Sequence, residues 1–211
     1  MVCPSKWLAE SAKESSLFRN DTVEVIPNGI DTGVFHPIER SAARIRLGLP
    51  LNKKLILFGA MNSTSDTRKG FPHLVSALKQ LSSIDPSIKT ECVIFGNTDR
   101  MKVQIPGFHV HNLGNVPGEG RLALVYSAAD VFVAPSVQEN LANTVMESMS
   151  CGTPVVAFNI GGMPDLIDHT INGYLAKSFD TSALAEEILC VLSDDSRFNF
   201  LSKNARDKVV N

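Results

Sequence analysis

This chain has no closely spaced cysteines: Cys3, Cys92, Cys151 and Cys190 are scattered through 211 residues, with no C-x-x-C among them. That spread excludes a knuckle-type zinc site and gives no sign of a disulfide framework. The thiols read as small buried side chains, with Cys92 inside an apolar run and Cys190 on the inner face of a helix. No apolar run is long enough to span a bilayer and no signal-peptide pattern opens the sequence, so a cytoplasmic location is expected. Charge of one sign is also lacking. A formal net charge of -2 leaves no global basic field for DNA or RNA, although a ligand with a few phosphates needs only a local positive site.

Several catalytic signatures are missing as well. There is no G-x-G-x-x-G and no G-K-[ST], which disfavours a nicotinamide dehydrogenase and a P-loop NTPase; Gly161-Gly162 is too short for the former. PSVQEN (135–140) is not a nucleophile elbow, and no Ser/His/Asp arrangement stands out. The five histidines show no metal spacing. His109 and His111 alternate along a strand and share a face, but with no third ligand near in sequence they read as strand decoration.

What is present is an ordinary globular composition, 44% hydrophobic and 20% charged, arranged as alternating helices and strands. A capped helix follows Pro4-Ser5, Val23–Ile26 is a short strand before the turn Pro27-Asn28-Gly29, and a short helix is expected near Ser41–Leu47. Apolar strands are expected at 55–60, 92–96, 131–135 and 154–158, with weaker ones at 107–111 and 173–176. Helices are expected over 69–81, 121–129, 139–150, 181–192 and 195–209. Strands apolar throughout, separated by helices, predict parallel βαβ units with right-handed crossovers. The fold class is therefore α/β, a Rossmann-like, doubly wound, mainly parallel six-stranded sheet, and residues 1–211 form one domain.

In such a sheet the ligand lies beyond the carboxyl ends of the strands. Two stretches there carry suitable chemistry. Thr67-Arg68-Lys69-Gly70 puts two cations at the start of a helix, where the dipole disfavours them. They are either solvated surface charges or a clamp on a diphosphate. The second stretch is ENLANTVMESMSCGTPVVAF (139–158), in which Glu139 and Glu147 stand eight residues apart across a loop-to-helix junction. Thr144 and Glu147 fit a capping box, in which Glu147 would do no more than reach back to its own helix start. The alternative has Glu147 accepting hydrogen bonds from a vicinal diol such as a ribose. Glu139 has no capping role and is free to hold sugar hydroxyls. Asn143 and Thr144 add short polar groups and free amides suited to phosphate. His73, one turn after Lys69, reaches the same pocket only weakly.

Together these residues resemble the retaining GT-B glycosyltransferases of group 1, and specifically their C-terminal, donor-binding half. The likeness is carried by VIPNGIDTGVFHP (25–37), RKGFPHLVSAL (68–78), YSAADVFVAPS (126–136), the E-x7-E pair, GTPVVAFNIGGMPDLI (152–167) and NGYLA (172–176), in that order. The resemblance implies that Lys69 stabilises the leaving diphosphate, Glu139 binds the transferred sugar and Glu147 the ribose. It further implies that Gly59, Arg68, Asn140, Leu141, Ala142, Asn143 and Thr144 line the donor site, with Asn97 and Val116 at the base. The donor would be a nucleotide-diphosphate sugar, with no metal or other cofactor. The acceptor would be a glycan or lipid-linked molecule of polysaccharide or lipopolysaccharide biosynthesis, and the full-length enzyme could touch the inner membrane peripherally. A non-catalytic nucleotide-sugar binding module and a nucleotide-sugar epimerase are the alternatives.

Two departures from the family pattern stand out. The loop before Lys69 is long and holds no arginine but Arg68, and the common Pro-Phe-Gly after the first glutamate is Asn140-Leu141-Ala142, as in a bacterial cell-surface polysaccharide subgroup. The family also has an acceptor domain before residue 1 and a returning helix after Val209. Neither is within these residues, so the chain is expected to be a fragment that binds donor and transfers nothing alone.

Overall fold

The computed structural model describes residues 1–62, 64–97 and 103–211. Two short strands, β1 (Val2–Cys3) and β2 (Glu24–Val25), pair in parallel beside helix α1 (Lys6–Glu14). Ser5 starts α1 by accepting the N–H of Leu8. Helix α2 (Arg40–Leu47) ends at Gly48, whose φ of 67° is left-handed and suits a glycine.

The main sheet contains β3 (Lys54–Gly59), β4 (Thr90–Phe95), β5 (Val110–Gly114), β6 (Val131–Ala134), β7 (Val155–Phe158) and β8 (Gly173–Ala176). Their order is β5-β4-β3-β6-β7-β8, and every neighbouring pair is parallel. The chain runs outward from β3 to β5, returns to the middle at β6, then runs outward the other way. The reversal between β3 and β6 is the topological switch point, and ligands bind such sheets beyond it.

Helices α3 (Phe71–Ile84), α4 (Glu119–Ala128), α5 (Asn143–Ser150), α6 (Met163–Leu166), α7 (Thr181–Leu192) and α8 (Asp195–Val210) complete the fold. Within each apolar strand the side chains alternate between two cores. Leu55, Leu57, Val93, Phe132, Val155 and Ala157 pack with Tyr126, Val145 and Met149. Ile56, Phe58, Cys92, Ile94, Val131, Val133, Val156 and Phe158 pack with Leu74, Leu78 and Leu81 of α3 and with Leu184 and Ile188 of α7. Covered faces on both sides explain why these strands read as continuous apolar runs. Each fully buried Leu, Ile or Phe contributes about 1.5–3 kcal/mol.

The amino end of the sheet is held by a buried ionic knot. Asp130, 2% exposed, accepts the Leu55 N–H at 2.6 Å and pairs with Arg44 and Arg40, each at 2.7 Å. Arg44 also donates to the carbonyls of Ala128 and Lys53, both at 2.9 Å.

Some expected boundaries move. Strand β5 starts three residues later than 107, because Gly107 (φ 86°) turns the chain and Ile105 bridges Phe108 ahead of it. Helix α3 starts at Phe71, since left-handed Gly70 interrupts the run from Lys69. Helix α5 starts at Asn143, which leaves Glu139 in a loop. Cys190 is exposed, contrary to expectation; the buried face of α7 runs through Leu184, Ile188 and Val191, and Cys190 points about 200° from Ile188. The other three thiols are buried, and burial pushes Cys92 and Cys151 up to about 12. Among the described residues no helix is long and apolar enough to cross a membrane.

Candidate functional site

The candidate site gathers at the carboxyl ends of β3, β6 and β7. After β3, Thr67–Lys69 forms a single 3-10 turn opened by Asp66, which accepts the Arg68 N–H at 3.0 Å. Arg68 folds back onto the same carboxylate through Nε (3.0 Å) and a terminal nitrogen (2.8 Å), and its hydrogen bond holds Asp66 below the usual carboxylate range. Its side chain is 65% exposed, so it stands beside the site as a surface ion pair.

Gly70 follows at φ 72°, where an added Cβ would sit on the Pro135 carbonyl oxygen. Only glycine permits both the left-handed backbone and that approach. The Val137 N–H donates to the Arg68 carbonyl at 2.8 Å, docking the turn onto the loop after β6. The docking brings Lys69 Nζ to within 2.6 Å of Glu139 Oε2, although the two residues are far apart in sequence. The lysine side chain is 28% exposed and the glutamate 16%. From the other side, Gly161 and Gly162 press against the Glu139 and Asn140 carbonyls, which a Cβ on either glycine would strike. Those glycines serve close backbone approach, so Glu139 is set in a loop clamped by two glycine turns.

Glu147 lies elsewhere. Helix α5 opens after Ala142 with no side-chain cap, so Thr144 is its second residue and Glu147 its fifth. The expected capping box therefore does not form. Glu147 Oε2 instead accepts the Tyr126 O–H at 2.7 Å. Burial pushes Glu147 above its ordinary 4.5, the tyrosine hydrogen bond pulls it back, and the charge of Glu119 raises it again. Tyr126 is fully buried, and burial together with Glu147 lifts its phenol well above 10, keeping it a donor. Tyr126 went unassigned in the sequence. The available signal was one of only two tyrosines placed in an apolar helical segment, where a buried hydroxyl needs a partner. The two glutamates are therefore not a mutual acid–base pair: Glu139 faces the β3 loop and Glu147 faces α4.

The remaining candidates divide into two groups. Leu141 and Ala142 are buried, so only their backbone can serve a ligand. Thr144 is half-buried, and Asn143 is exposed with its Oδ1 accepting from Asn28 at 3.1 Å. Asn140 Oδ1 accepts the Ser5 hydroxyl at 2.5 Å, which ties the site to the start of α1. Gly59 is demanded by packing, since the Phe95 ring fills the space of its missing Cβ. Asn97 links the loops after β4 and β3 through its N–H to the Met61 carbonyl (2.8 Å), and Val116 is half-buried between β5 and α4. The half-buried His73 ring packs edge-on against buried Phe158 and beside exposed Phe179. Among the described residues the one group of three side chains with mutual metal-ligand spacing, Glu91, His109 and His111, lies at the opposite end of the sheet.

Comparison with known proteins identifies the family and the fold. Residues 52–194, which contain Lys69, Glu139 and Glu147, match the family model described as glycosyl transferases group 1. A D-inositol 3-phosphate glycosyltransferase from Xylanimonas cellulosilytica is 33% identical over 202 residues, covering 88% of this chain and 46% of the relative. The chain spans less than half the length of the curated relatives it matches. Sucrose-phosphate synthase from Thermosynechococcus elongatus superposes with a TM-score of 0.82 at 27% identity, covering 99% of this chain and 53% of that one. HepE from Anabaena, solved with UDP and glucose, superposes at 0.77 with 23% identity, covering 99% and 57%. The match spans the sheet from before β3 to the end of α7 and takes in the lysine and both glutamates, so the chain belongs to the group 1 glycosyl transferases, and its sheet corresponds to one half of their GT-B architecture.

Proposed function

We propose that this chain is the donor-binding half of a retaining glycosyltransferase, which moves a sugar from a nucleotide-diphosphate sugar to a glycan or lipid-linked acceptor in the cytoplasm. The observation that carries this reading is the Lys69–Glu139 pair at the switch point, with Glu147 held separately by Tyr126. An ammonium has three donors, and Glu139 engages one. The others are available to a diphosphate lying over the uncapped start of α5, whose first amides also favour phosphate. When the bond between the anomeric carbon and the diphosphate oxygen breaks, negative charge grows on the leaving group. A preorganised cation there is worth several kcal/mol at order of magnitude. Lys69 and the α5 amides supply that positive potential, so no bound metal is needed for donor binding.

Glu139 has a second carboxylate oxygen for sugar hydroxyls, and Glu147 accepts from the ribose diol on the α4 side. The UDP bound to HepE fits a nucleotide here, since the fold is shared. The acceptor site and any group that deprotonates the acceptor belong to the rest of the enzyme, so the isolated chain binds donor without transferring sugar. Membership of the family does not favour a stand-alone binding module or an epimerase.

Calorimetric titration with UDP, GDP, ADP and their sugars tests the site. One nucleotide binds, and Lys69→Ala and Glu147→Gln each weaken it by at least about tenfold, or 1.4 kcal/mol. Wild-type binding left unchanged in both variants would sink the assignment. If no nucleotide binds, the same titration on the full-length enzyme decides.

A further inference from the structure

At the amino end of the sheet, away from Lys69, β4 and edge strand β5 bring three donor side chains together. Cys92 pairs with Val110 and Val93 with His111, and the Cys92 N–H donates to the His109 carbonyl at 2.9 Å. Glu91 therefore stands opposite His109. Because side chains alternate along strands, Glu91, His109 and His111 share one face. Their ligating atoms all lie within 4.8 Å of one another, His111 Nε2 is 2.7 Å from Glu91 Oε2, and the two imidazole rings are 4.6 Å apart edge to face.

We propose that Glu91, His109 and His111 form a binding site for a divalent transition-metal ion, with zinc the best fit. Imidazole nitrogens bind Zn²⁺ at about 2.0–2.1 Å and a carboxylate oxygen at about 2.0–2.2 Å, so ligand atoms in a tetrahedral site stand about 3.3 Å apart. To reach that spacing the 2.7 Å His111–Glu91 pair opens around the ion, and exposed His109, whose ring nitrogen already lies within 4.8 Å of both ligand atoms, turns toward it. Two imidazoles and one carboxylate select zinc-like ions over Mg²⁺ and Ca²⁺, which prefer all-oxygen shells. The ion replaces the proton shared by His111 Nε2 and Glu91 Oε2, and water takes the fourth position.

Strand pairing preorganises two of the three ligands. Lys53 sits 3.5 Å from the other oxygen of Glu91, Oε1, and opposes the ion by charge alone. The ion's role is to staple the edge strand to β4, at a distance from the donor chemistry. The strand register reveals Glu91 as the third ligand, which the H-x-H spacing could not show.

The experiment is zinc titration of the chelator-stripped chain by calorimetry, with Co²⁺ absorption and thermal unfolding as independent readouts. One Zn²⁺ binds per chain, Tm rises with Zn²⁺ and not with Mg²⁺, and Co²⁺ gives four-coordinate d–d bands. Glu91→Ala and His111→Ala weaken binding by at least about tenfold, and Lys53→Met tightens it. Those two ligand variants also break an ion pair, so exposed His109→Ala is the decisive one: its fold is unchanged by circular dichroism and its zinc affinity falls at least as far. Absence of zinc binding to the wild type at 100-fold excess, or His109→Ala binding as tightly as wild type, overturns the site and leaves only an ion pair between strands.

Discussion

Glu147 is the residue on which stability and ligand binding pull in opposite directions. Its carboxyl is held above 4.5 by burial, so the folded chain binds this proton more readily than the unfolded chain does. The sign follows directly: with the folded value raised, stability is fullest below 4.5 and falls as pH climbs through the folded value. Glu147→Gln removes that titration. Its stability relative to wild type should rise across the window and equal or exceed wild type at neutral pH, although donor binding weakens. Tyr126→Phe acts the other way. It removes the hydrogen bond that pulls Glu147 down, so the carboxyl moves higher and wild-type-like stability at acid pH gives way to a deficit of roughly 0.5–1.5 kcal/mol at neutral pH. Urea midpoints between about pH 4 and pH 8 read both effects. Three parallel curves would show that Glu147 titrates no differently in the fold.

At the scale of elements, the site is made by turns docking on a loop, and glycine decides whether they can. Gly70→Ala places a Cβ on the Pro135 carbonyl and holds a left-handed φ, which costs about 1–3 kcal/mol from the backbone alone. The Thr67–Lys69 turn would lift away and the Lys69–Glu139 bond would lengthen. Gly120 is the control: it lies in α4 with nothing near its would-be Cβ, so Gly120→Ala stabilises by about 0.5–1 kcal/mol. Thermal unfolding and nucleotide titration should therefore both fall for Gly70→Ala, which loses Tm and binding, whereas Gly120→Ala gains Tm and leaves affinity untouched. Equal effects from the two changes would mean that Gly70 has no docking role.

The apolar strands were legible in the sequence because both faces of the sheet are covered, and the Lys69, Glu139 and Glu147 assignments came from the ordered family motifs. The capping box misled because T-x-x-E has the same spacing whether the helix is capped at Thr144 or, as here, two residues earlier at Ala142. The Tyr126–Glu147 bond and the Glu91–His109–His111 cluster depend on packing between elements, which no local pattern encodes.

For the whole molecule, the decisive seam is the one between the two halves of the sheet. β3 and β6 are in register only at Ile56–Val131 and Leu57–Phe132, whereas β3 and β4 stay paired from Lys54 to Gly59. Beyond Leu57 the two central strands run on without pairing to each other, which opens the crevice the donor is proposed to occupy. So short a ladder needs support, and Asp130 provides it at the amino end by extending the pairing to Leu55 and neutralising Arg44 and Arg40. Removing one partner of a buried ion pair strands the other charge, so Asp130→Ala should cost about 3–5 kcal/mol. Asp130→Asn combined with Arg44→Leu should recover much of this, because the amide still accepts the Leu55 N–H, the buried Arg44 guanidinium is gone, and the Arg40 side chain, 32% exposed, is left to water. Since the knot lies at the end of the sheet opposite Lys69, the double variant should bind nucleotide with wild-type affinity while it is folded. Urea unfolding of the three proteins, with nucleotide titration below the transition, checks both parts. A wild-type midpoint for Asp130→Ala would mean that the two halves hold together without the knot, and weakened binding in the folded double variant would mean that the seam transmits strain to the crevice.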